Sequence, residues 1–416
     1  MRWRIAFLVS AAIAISYLDR QTLPVAIKAI EKDIPLSNEQ FSALQSSFLL
    51  AYALMYGIGG RLVDLLGTRR GFILVMSFWS FACVSHAAAL AFPMLIVSRF
   101  LLGMGEGGGF PAATRAVAEW FSMEERATAM GIINAGTAVG AVVAPPLIVS
   151  ILGFANWRWV FVFTGVLGFF WVAWWRRAYF VPAERATLQG PINTAHPRAD
   201  TAPTFGWTQL FRIRETWALM IAKFLSDAAW FFYLFWLPKY LYEARGFDTK
   251  AVGMFAWLPG AAAGLGCLLG GVFSSYLVQR DFPTIKARKL ALGASAAIMP
   301  LAILVPHVPI TWTIVLFCVA YFGQQSWSTL VMVLPADLFP QRVVGSVAGL
   351  VGFGGAMGGI VFGQIVGYLL DHGFGYGPVF GIAGVLHVVA FVIILAAIPS
   401  ALPLRSKENF SYGGVQ

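Results

Sequence analysis

Charge is what this sequence has least of. Only 12% of its 416 residues are Asp, Glu, Lys or Arg, where a soluble domain carries about 25%. Such a chain cannot coat itself against water. An apolar share of 59% and a mean hydropathy of +0.74 agree with that. Cysteine is nearly absent. Cys83, Cys267 and Cys318 lie far apart inside apolar segments, which excludes a disulfide framework and a zinc spacing. The five histidines (His86, His196, His307, His372, His387) are equally scattered. No nucleophile–base or metal-ligand spacing emerges from them, so an enzyme, a cofactor and a bound metal are not expected. The net charge of +10 would suit nucleic acid, but no basic cluster interleaved with aromatics accompanies it.

What is present is a series of long apolar runs. A helix crosses a bilayer with roughly 20 apolar residues. Twelve such spans are predicted, at about 5–29, 40–63, 71–91, 94–118, 127–152, 158–178, 215–241, 250–278, 287–305, 309–335, 343–370 and 377–398. The run after MRWR continues for about 25 residues with no convincing cleavage site, so it reads as a retained first helix. Eighteen Lys and Arg fall in segments on the side of the N-terminus and six on the other, which assigns both termini to the cytoplasm. The expected fold class is an all-α integral membrane protein of twelve transmembrane helices in two pseudo-symmetric six-helix bundles.

The longest loop is rich in Pro, Thr and Arg and divides the chain. The expected units are a bundle at 1–179, a cytoplasmic linker at 180–214, a second bundle at 215–400 and a cytoplasmic tail at 401–416. The halves repeat. GIINAGTAVGAVVAPPL matches GLVGFGGAMGGIVFGQI, so that Gly131, Gly136 and Gly140 fall on Gly349, Gly354 and Gly358. Upstream, EWFSMEER resembles ADLFPQR. A duplication of this kind suits a transporter whose site lies between two halves. Glycines four apart let helices approach closely.

The stretch SRFLLGMGEGGGFPAA contains a formal G-x-G-x-x-G at Gly103, Gly105 and Gly108. A dinucleotide site needs a strand before it and a soluble βαβ unit around it. Here apolar spans flank it, so the glycines are expected to thin the fourth helix for close packing or bending.

Few ionisable residues remain inside spans. They are Asp19 and Arg20 in the first, Arg99, Glu106 and Arg115 in the fourth, and Lys223 and Asp227 in the seventh; Arg61 and Asp64 sit at the inner end of the second. A charge at mid-membrane costs at least ~3 kcal/mol, so such residues face a cavity and carry function, or lock helices as ion pairs. Spans one, four and seven each begin a three-helix unit. Span ten begins the fourth unit and carries Gln324, Gln325, Ser326 and Ser328 around Trp327. If these four spans line one cavity, the polar residues converge there.

Helical rise puts Asp19 roughly 15 Å and Glu106 roughly 18 Å from the outer end, near the midplane. Arg99 and Glu106 lie two turns apart on one face, about 10 Å between Cα atoms. A carboxyl group in low dielectric is driven toward its neutral form, and a neighbouring arginine opposes this. An anion that takes the arginine then frees the acid to bind a proton. Asp19 beside Arg20, and Glu106 near Arg99, are the expected partners in such coupling. Lys223 and Asp227 are four apart and either neutralise one another or offer Lys223 as a third anion contact. Trp230 and Tyr233 are candidates for stacking on a sugar. Tyr17, Tyr52 and Tyr56 are candidate hydroxyl partners, with packing as the competing reading for each.

GGRLVDLLGTRR, residues 59–70, resembles the loop signature of the major facilitator superfamily, and RFLLG resembles its span-four motif. The resemblance implies a gating role for Asp64 with Arg69 and Arg70; Leu65 stands where the family's usual arginine would, and Ser275 where the second half's acid would. SYLDRQTLP, EGGGFPAATRAVAEWF and ERATAMGIINAGTAVGAVVAPPL resemble the anion:cation symporters within it. That likeness implies that Arg20 contacts a substrate carboxylate and that Glu106 takes part in proton coupling, with Asp19 and Arg99 as partners. KFLSDAAWFFYLFWLPKYL and GMFAWLPGAAAGLGCLLGG look most like the hexuronate-transporter branch. The expected function is proton-coupled import of a sugar acid across an inner (plasma) membrane, by a monomer with no nucleic-acid partner. Arg20, Arg99 and Lys223 are expected at the carboxylate, and Tyr17, Tyr52, Trp230, Tyr233, Gln324, Gln325 and Trp327 at the rest of the sugar. An aldonate or glucarate carrier is the near alternative. A drug exporter or a receptor without transport fits the paired acids and bases less well.

Overall fold

The computed structural model describes residues 2–121, 126–179, 207–339 and 341–399. Most of the expected linker, the tail and the side chains of Tyr56, Arg61 and Asp64 lie outside the described residues. All regular structure described is helical. This follows from the solvent, because a backbone in hydrocarbon must satisfy its own N–H and C=O groups.

The helices are α1 (Arg2–Ile30), α2 (Asn38–Ser85), α3 (Phe92–Gly107), α4 (Gly109–Trp120), α5 (Arg126–Leu152), α6 (Trp157–Ala178), α7 (Arg214–Arg245), α8 (Thr249–Phe255), α9 (Trp257–Gln279), α10 (Thr284–Ile298), α11 (Ile310–Leu338), α12 (Gln341–Asp371) and α13 (Tyr376–Ala397). They trace twelve spans, and the course of the helices differs from expectation in four places. Spans two and three run as the single element α2, broken only at Gly67, whose φ of 76° and ψ of 157° turn the chain. No β-carbon resists that conformation in glycine. Span four is two helices meeting at Gly108, and span eight is two meeting at Ala256. Span nine finishes as a 3-10 helix, Met299–His307.

Among the described residues, nine helical stretches are long and apolar enough to cross a membrane. The spans that fall short are α1, the first part of α2, and α3 with α4. These carry Asp19 and Arg20, a run of Gln40, Ser42, Gln45, Ser46 and Ser47, and Arg99 with Glu106. The polar surface of the N-terminal half is concentrated in the helices that hydropathy alone misses.

The duplicated glycines explain the packing. A β-carbon on Gly136 or Gly140 would lie 2.3 Å from the carbonyl oxygen of Ser10 or Ala14 in α1. In the second half, a β-carbon on Gly354 or Gly358 would lie 2.8 or 1.9 Å from the carbonyl oxygen of Met220 or Phe224 in α7. Span five therefore lies on span one as span eleven lies on span seven. Gly131 and Gly349 again behave alike, with nothing within 4 Å. The glycines of span four do both things expected of them. Gly103 and Gly107 press on α2 at Phe48 and Tyr52, Gly105 presses on Trp79, and Gly108 is the break.

The hydrogen bonds and ion pairs that join the two halves lie, among the described residues, at the end opposite the start of α1. Lys28 meets Glu31 and Glu243 at 2.9 and 3.2 Å, and Lys239 meets the same two acids at 2.6 and 3.4 Å. Tyr376 donates to Glu243, and Tyr242 donates to the carbonyl of Val25. Asp371, the last residue of α12, accepts from the backbone N–H groups of Asn38 and Glu39 at 2.9 and 2.8 Å. A carboxylate there also suits the positive end of the α2 dipole. In the loop after α1, Asp33 accepts from Trp157 and Arg158, and these bonds hold its carboxyl below the usual range. The halves are thus fastened at one end. Large apolar side chains such as Phe170, Trp174, Leu268 and Val272 face outward, as a lipid-facing surface requires.

The contrast between tight and open glycines is testable. Gly103→Ala places a β-carbon 2.2 Å from the Phe48 carbonyl oxygen, and overpacking of that kind costs about 1–3 kcal/mol. Gly131→Ala meets nothing and gains about 1 kcal/mol of helix propensity. Thermal unfolding in detergent is expected to show a lower Tm for the first variant only; equal melting temperatures would refute the packing account.

Candidate functional site

One turn of α1 and the end of α3 build the centre of the N-terminal half. Ser16 and Arg20 are one helical turn apart, on one face of α1. Both reach the same oxygen of Glu106 on α3: Ser16 Oγ at 2.6 Å and Arg20 Nε at 2.7 Å. The Glu106 carboxylate is sealed from solvent, and its other oxygen, Oε1, has no partner among the described residues. Three rings enclose the guanidinium. Its carbon lies 4.7, 4.6 and 5.4 Å from the ring centres of Tyr17, Tyr52 and Phe48. Cation–π contacts of this kind stabilise a desolvated charge. Only Nε is hydrogen-bonded to protein among the described residues, which leaves the two Nη groups as an open fork. That fork matches a carboxylate in bidentate geometry.

Asp19 does not pair with Arg20. Neighbouring positions on a helix point about 100° apart. Asp19 turns into the bundle and accepts from Trp79 Nε1 at 3.1 Å and from Cys83 Sγ at 3.4 Å. Cys83 also touches Thr164 Oγ1 at 3.3 Å. Arg99 likewise does not bond Glu106. It donates to Gln45 Oε1 at 2.6 Å, lies 5.1 Å from the centre of the Phe48 ring, and leaves Nε and Nη1 unpartnered. Both expected pairings are therefore corrected: Arg20 holds Glu106 across the helix interface, while Asp19 and Arg99 each take uncharged partners. Phe48, Ser16 and Gln45 escaped sequence reasoning. The spacing of Ser16 to Arg20 is the one signal that pointed there, since one phenylalanine among 35 carries no contrast.

In the second half, Lys223 Nζ lies 2.9 Å from Asp227 Oδ1 and 2.7 Å from Ser328 Oγ. Of the two readings open for this pair, the structure forms the internal ion pair. Gln324 donates to Asp227 Oδ1 at 3.3 Å and is bonded to His387 on its other side. Gln325 is half-buried, and its carbonyl accepts from Thr329. The aromatic candidates are packed. Trp230 lies against Tyr321, and Tyr233 is fully buried against Phe317 and Tyr321. Trp327 points into the core of the second half, beside His387 and Phe391. An aromatic run must face all sides of its helix, so most of it fills the interior.

At the end where α1 starts, Asp64 lies outside the described residues. Arg69 donates to the carbonyl of Arg176 at 2.7 Å, within its own half, and Arg70 is exposed. Arg115 pairs with Glu119 at 3.1 Å, and Tyr179 also bonds Glu119. The duplicated acid Asp337 pairs with Arg288 at 3.0 Å, and Arg288 reaches Ser274. The repeat thus places an acid at the end of spans four and ten and gives each a basic partner.

A sequence model described as the Major Facilitator Superfamily matches residues 9–363. The chain belongs to that superfamily. It is 31% identical to the hexuronate transporter of Escherichia coli K12 over 405 residues, covering 95% of this chain and 93% of that one. It is also 31% identical to the galacturonate transporter of Dickeya chrysanthemi over 308 residues, 72% of this chain and 89% of that one. Among solved structures, the inward-open xylose transporter XylE from E. coli shares the fold with a TM-score of 0.76 at 14% identity, over 96% and 97% of the two chains. This major facilitator chain is a membrane carrier by family.

The Arg20–Glu106 bond has a direct stability signature. Glu106→Leu leaves a buried guanidinium unpaired, a loss of about 3–5 kcal/mol. Arg20→Leu with Glu106→Leu removes both charges and is expected to recover most of that. Thermal unfolding of both proteins in detergent checks this. A double variant no more stable than the single one would show that the pair is not the dominant interaction.

Proposed function

We propose that the protein is a proton-coupled symporter that imports a sugar acid, such as galacturonate or glucuronate, by alternating access. The observation that carries the reading is the state of Arg20, held by Glu106 through Nε alone with its two Nη groups open. A substrate carboxylate and Glu106 compete for this one cation. A proton on Glu106 weakens its hold on Arg20, and the fork then binds the anion. Once the proton leaves, Glu106 reclaims Arg20 and the anion is released. Asp19, one residue away behind Trp79 and Cys83, is the second carboxyl in the proton path. Arg99 adds positive potential behind Phe48. Tyr17, Tyr52 and Gln325 offer contacts to the hydroxyls.

The similarity to hexuronate and galacturonate transporters supports the substrate class. The excess of Lys and Arg supports an orientation with both termini in the cytoplasm of a cell with this protein in its inner membrane. In that orientation the fastened end faces outward. Bundles at 1–179 and 215–400 rock about the site while the segment 180–214 links them. The outward-open state requires the Lys28–Glu31–Lys239–Glu243 cluster and the Asp371 cap to part, and Asp64, Arg69 and Arg70 to engage at the other end.

Uptake of labelled galacturonate into proteoliposomes, with and without an inward proton gradient, tests this. Accumulation that collapses with an uncoupler is the expected result. Glu106→Gln is expected to exchange substrate yet fail to concentrate it. A Glu106→Gln protein that still accumulates galacturonate against its gradient would overturn the coupling role. Uptake of aldonates or glucarate in place of hexuronates would keep the carrier and change its cargo.

A further inference from the structure

The charges at the fastened end repeat with the halves. Helices α1 and α7 are equivalent spans, and both run toward this end. Each brings a lysine followed one turn later by a glutamate: Lys28 and Glu31 from the first half, Lys239 and Glu243 from the second. We propose that these four side chains form a closed ring that opening divides into two neutral pairs, one kept by each half. The gate then parts without baring a charge, and the matched polarity of the halves sets the balance between shut and open. The proposal rests on the alternating-access reading and is independent of the cargo and of the proton.

The ring has four sides. Two lie within a half: Lys28 Nζ is 2.9 Å from Glu31 Oε2, and Lys239 Nζ is 3.4 Å from Glu243 Oε1. Two cross between the halves: Lys28 Nζ is 3.2 Å from Glu243 Oε1, and Lys239 Nζ is 2.6 Å from Glu31 Oε1. Each lysine touches both acids, and each acid touches both lysines. The lysine of one half meets the acid of the other and the converse, as in a two-fold contact between identical subunits. The duplication accounts for this. Six-helix halves of this superfamily are related by an axis along the membrane normal. About such an axis, a lysine and an acid one turn apart are complementary to their own copy.

Burial makes the arrangement matter. The Lys239 side chain is 2% exposed, and its Nζ lies 5.1 Å from the centre of the Phe41 ring on α2. A lone ion pair across the interface would leave an ammonium and a carboxylate without partners when the halves part. Here separation breaks the two crossing sides and keeps the two within the halves. Lys28 stays with Glu31. Lys239 stays with Glu243, which Tyr376 of the same half also holds at 3.1 Å. Neither half carries away a net charge from the ring. The crossing sides favour the shut state only while lysine faces acid on both of them.

Inverting the polarity of one half tests this. Lys239→Glu with Glu243→Lys keeps an ion pair on α7 but sets like against like on both crossing sides. Lys28→Glu with Glu31→Lys does the same from the first half, and all four substitutions together restore every side. Spin labels at Phe154→Cys and Phe374→Cys, exposed sites in the α5–α6 and α12–α13 loops, report the distance between the halves by pulsed electron resonance. Half-buried Cys267 and Cys318 are replaced by alanine in the labelled protein. Each half-inversion is expected to raise the ratio of long to short distances by at least about tenfold, because like charges at an interface are strongly disfavoured. The fourfold variant is expected to return it to the wild-type ratio. Where a half-inverted protein does not fold, Lys239→Met with Glu243→Gln removes the crossing sides without repulsion and is expected to shift the ratio the same way by less. Half-inversions or neutralised pairs that leave the ratio unchanged, while galacturonate still shifts it in the wild type, overturn the ring and leave alternating access intact. A fourfold variant no closer to wild type than the half-inversions overturns it as well, because polarity is then not the source. One fixed distance in every protein, with or without galacturonate, refutes the ring and alternating access together.

Discussion

The structure depends on the cost of leaving a charge unmatched in a medium that cannot solvate it. That cost puts Arg20 in a cage of three rings and fastens it to a carboxylate on another helix. It pairs Lys223 with the acid one turn away. It turns Asp19 toward the few donors within reach, an indole N–H and a thiol. Each of these buried charges therefore has a polar partner, and where the partner lies on another helix the bond helps to hold the two helices together. A carrier needs this property, since binding energy becomes movement only through contacts that differ between states.

Backbone contact makes these exchanges possible. Spans five and eleven lie against spans one and seven with glycine facing carbonyl oxygen. The two helices that bear most of the buried charge are thus backed by rigid partners, once in each half. The repetition of this contact at equivalent positions is the physical content of the duplication. The asymmetry lies in what the front faces carry: Arg20 with an acid from another helix in the first half, and Lys223 with an acid from its own helix in the second.

Much of this was legible in the sequence. Apolar runs and glycine periodicity announced the spans and the repeat, because both are one-dimensional properties. The identity of the buried charges was legible too, as each stands out in an apolar background. Their pairing was not. Asp19 and Arg20 are adjacent in the chain but diverge on the helix, and Arg20 meets Glu106 only because α1 and α3 cross at that height. The aromatic residues were the hardest to place. Trp327 and Tyr233 have the chemistry of sugar-binding residues, yet their side of the helix was fixed by packing against α13 and α11, which no local pattern records. The break at Gly67 was hidden for the opposite reason: one glycine does the work expected of a loop.

The start of α2 carries two sets of caps. Ser37 and Gln40 form a capping box within the chain, while Asp371 from the other half takes the amides of Asn38 and Glu39. The first set keeps the helix wound when the halves part, so opening does not require unravelling. The second exists only while they are together. If the halves part at this end, those two amides trade a carboxylate for water. Their hydrogen-exchange rates carry a record of how much of its time the carrier spends shut, readable with no substrate and no label.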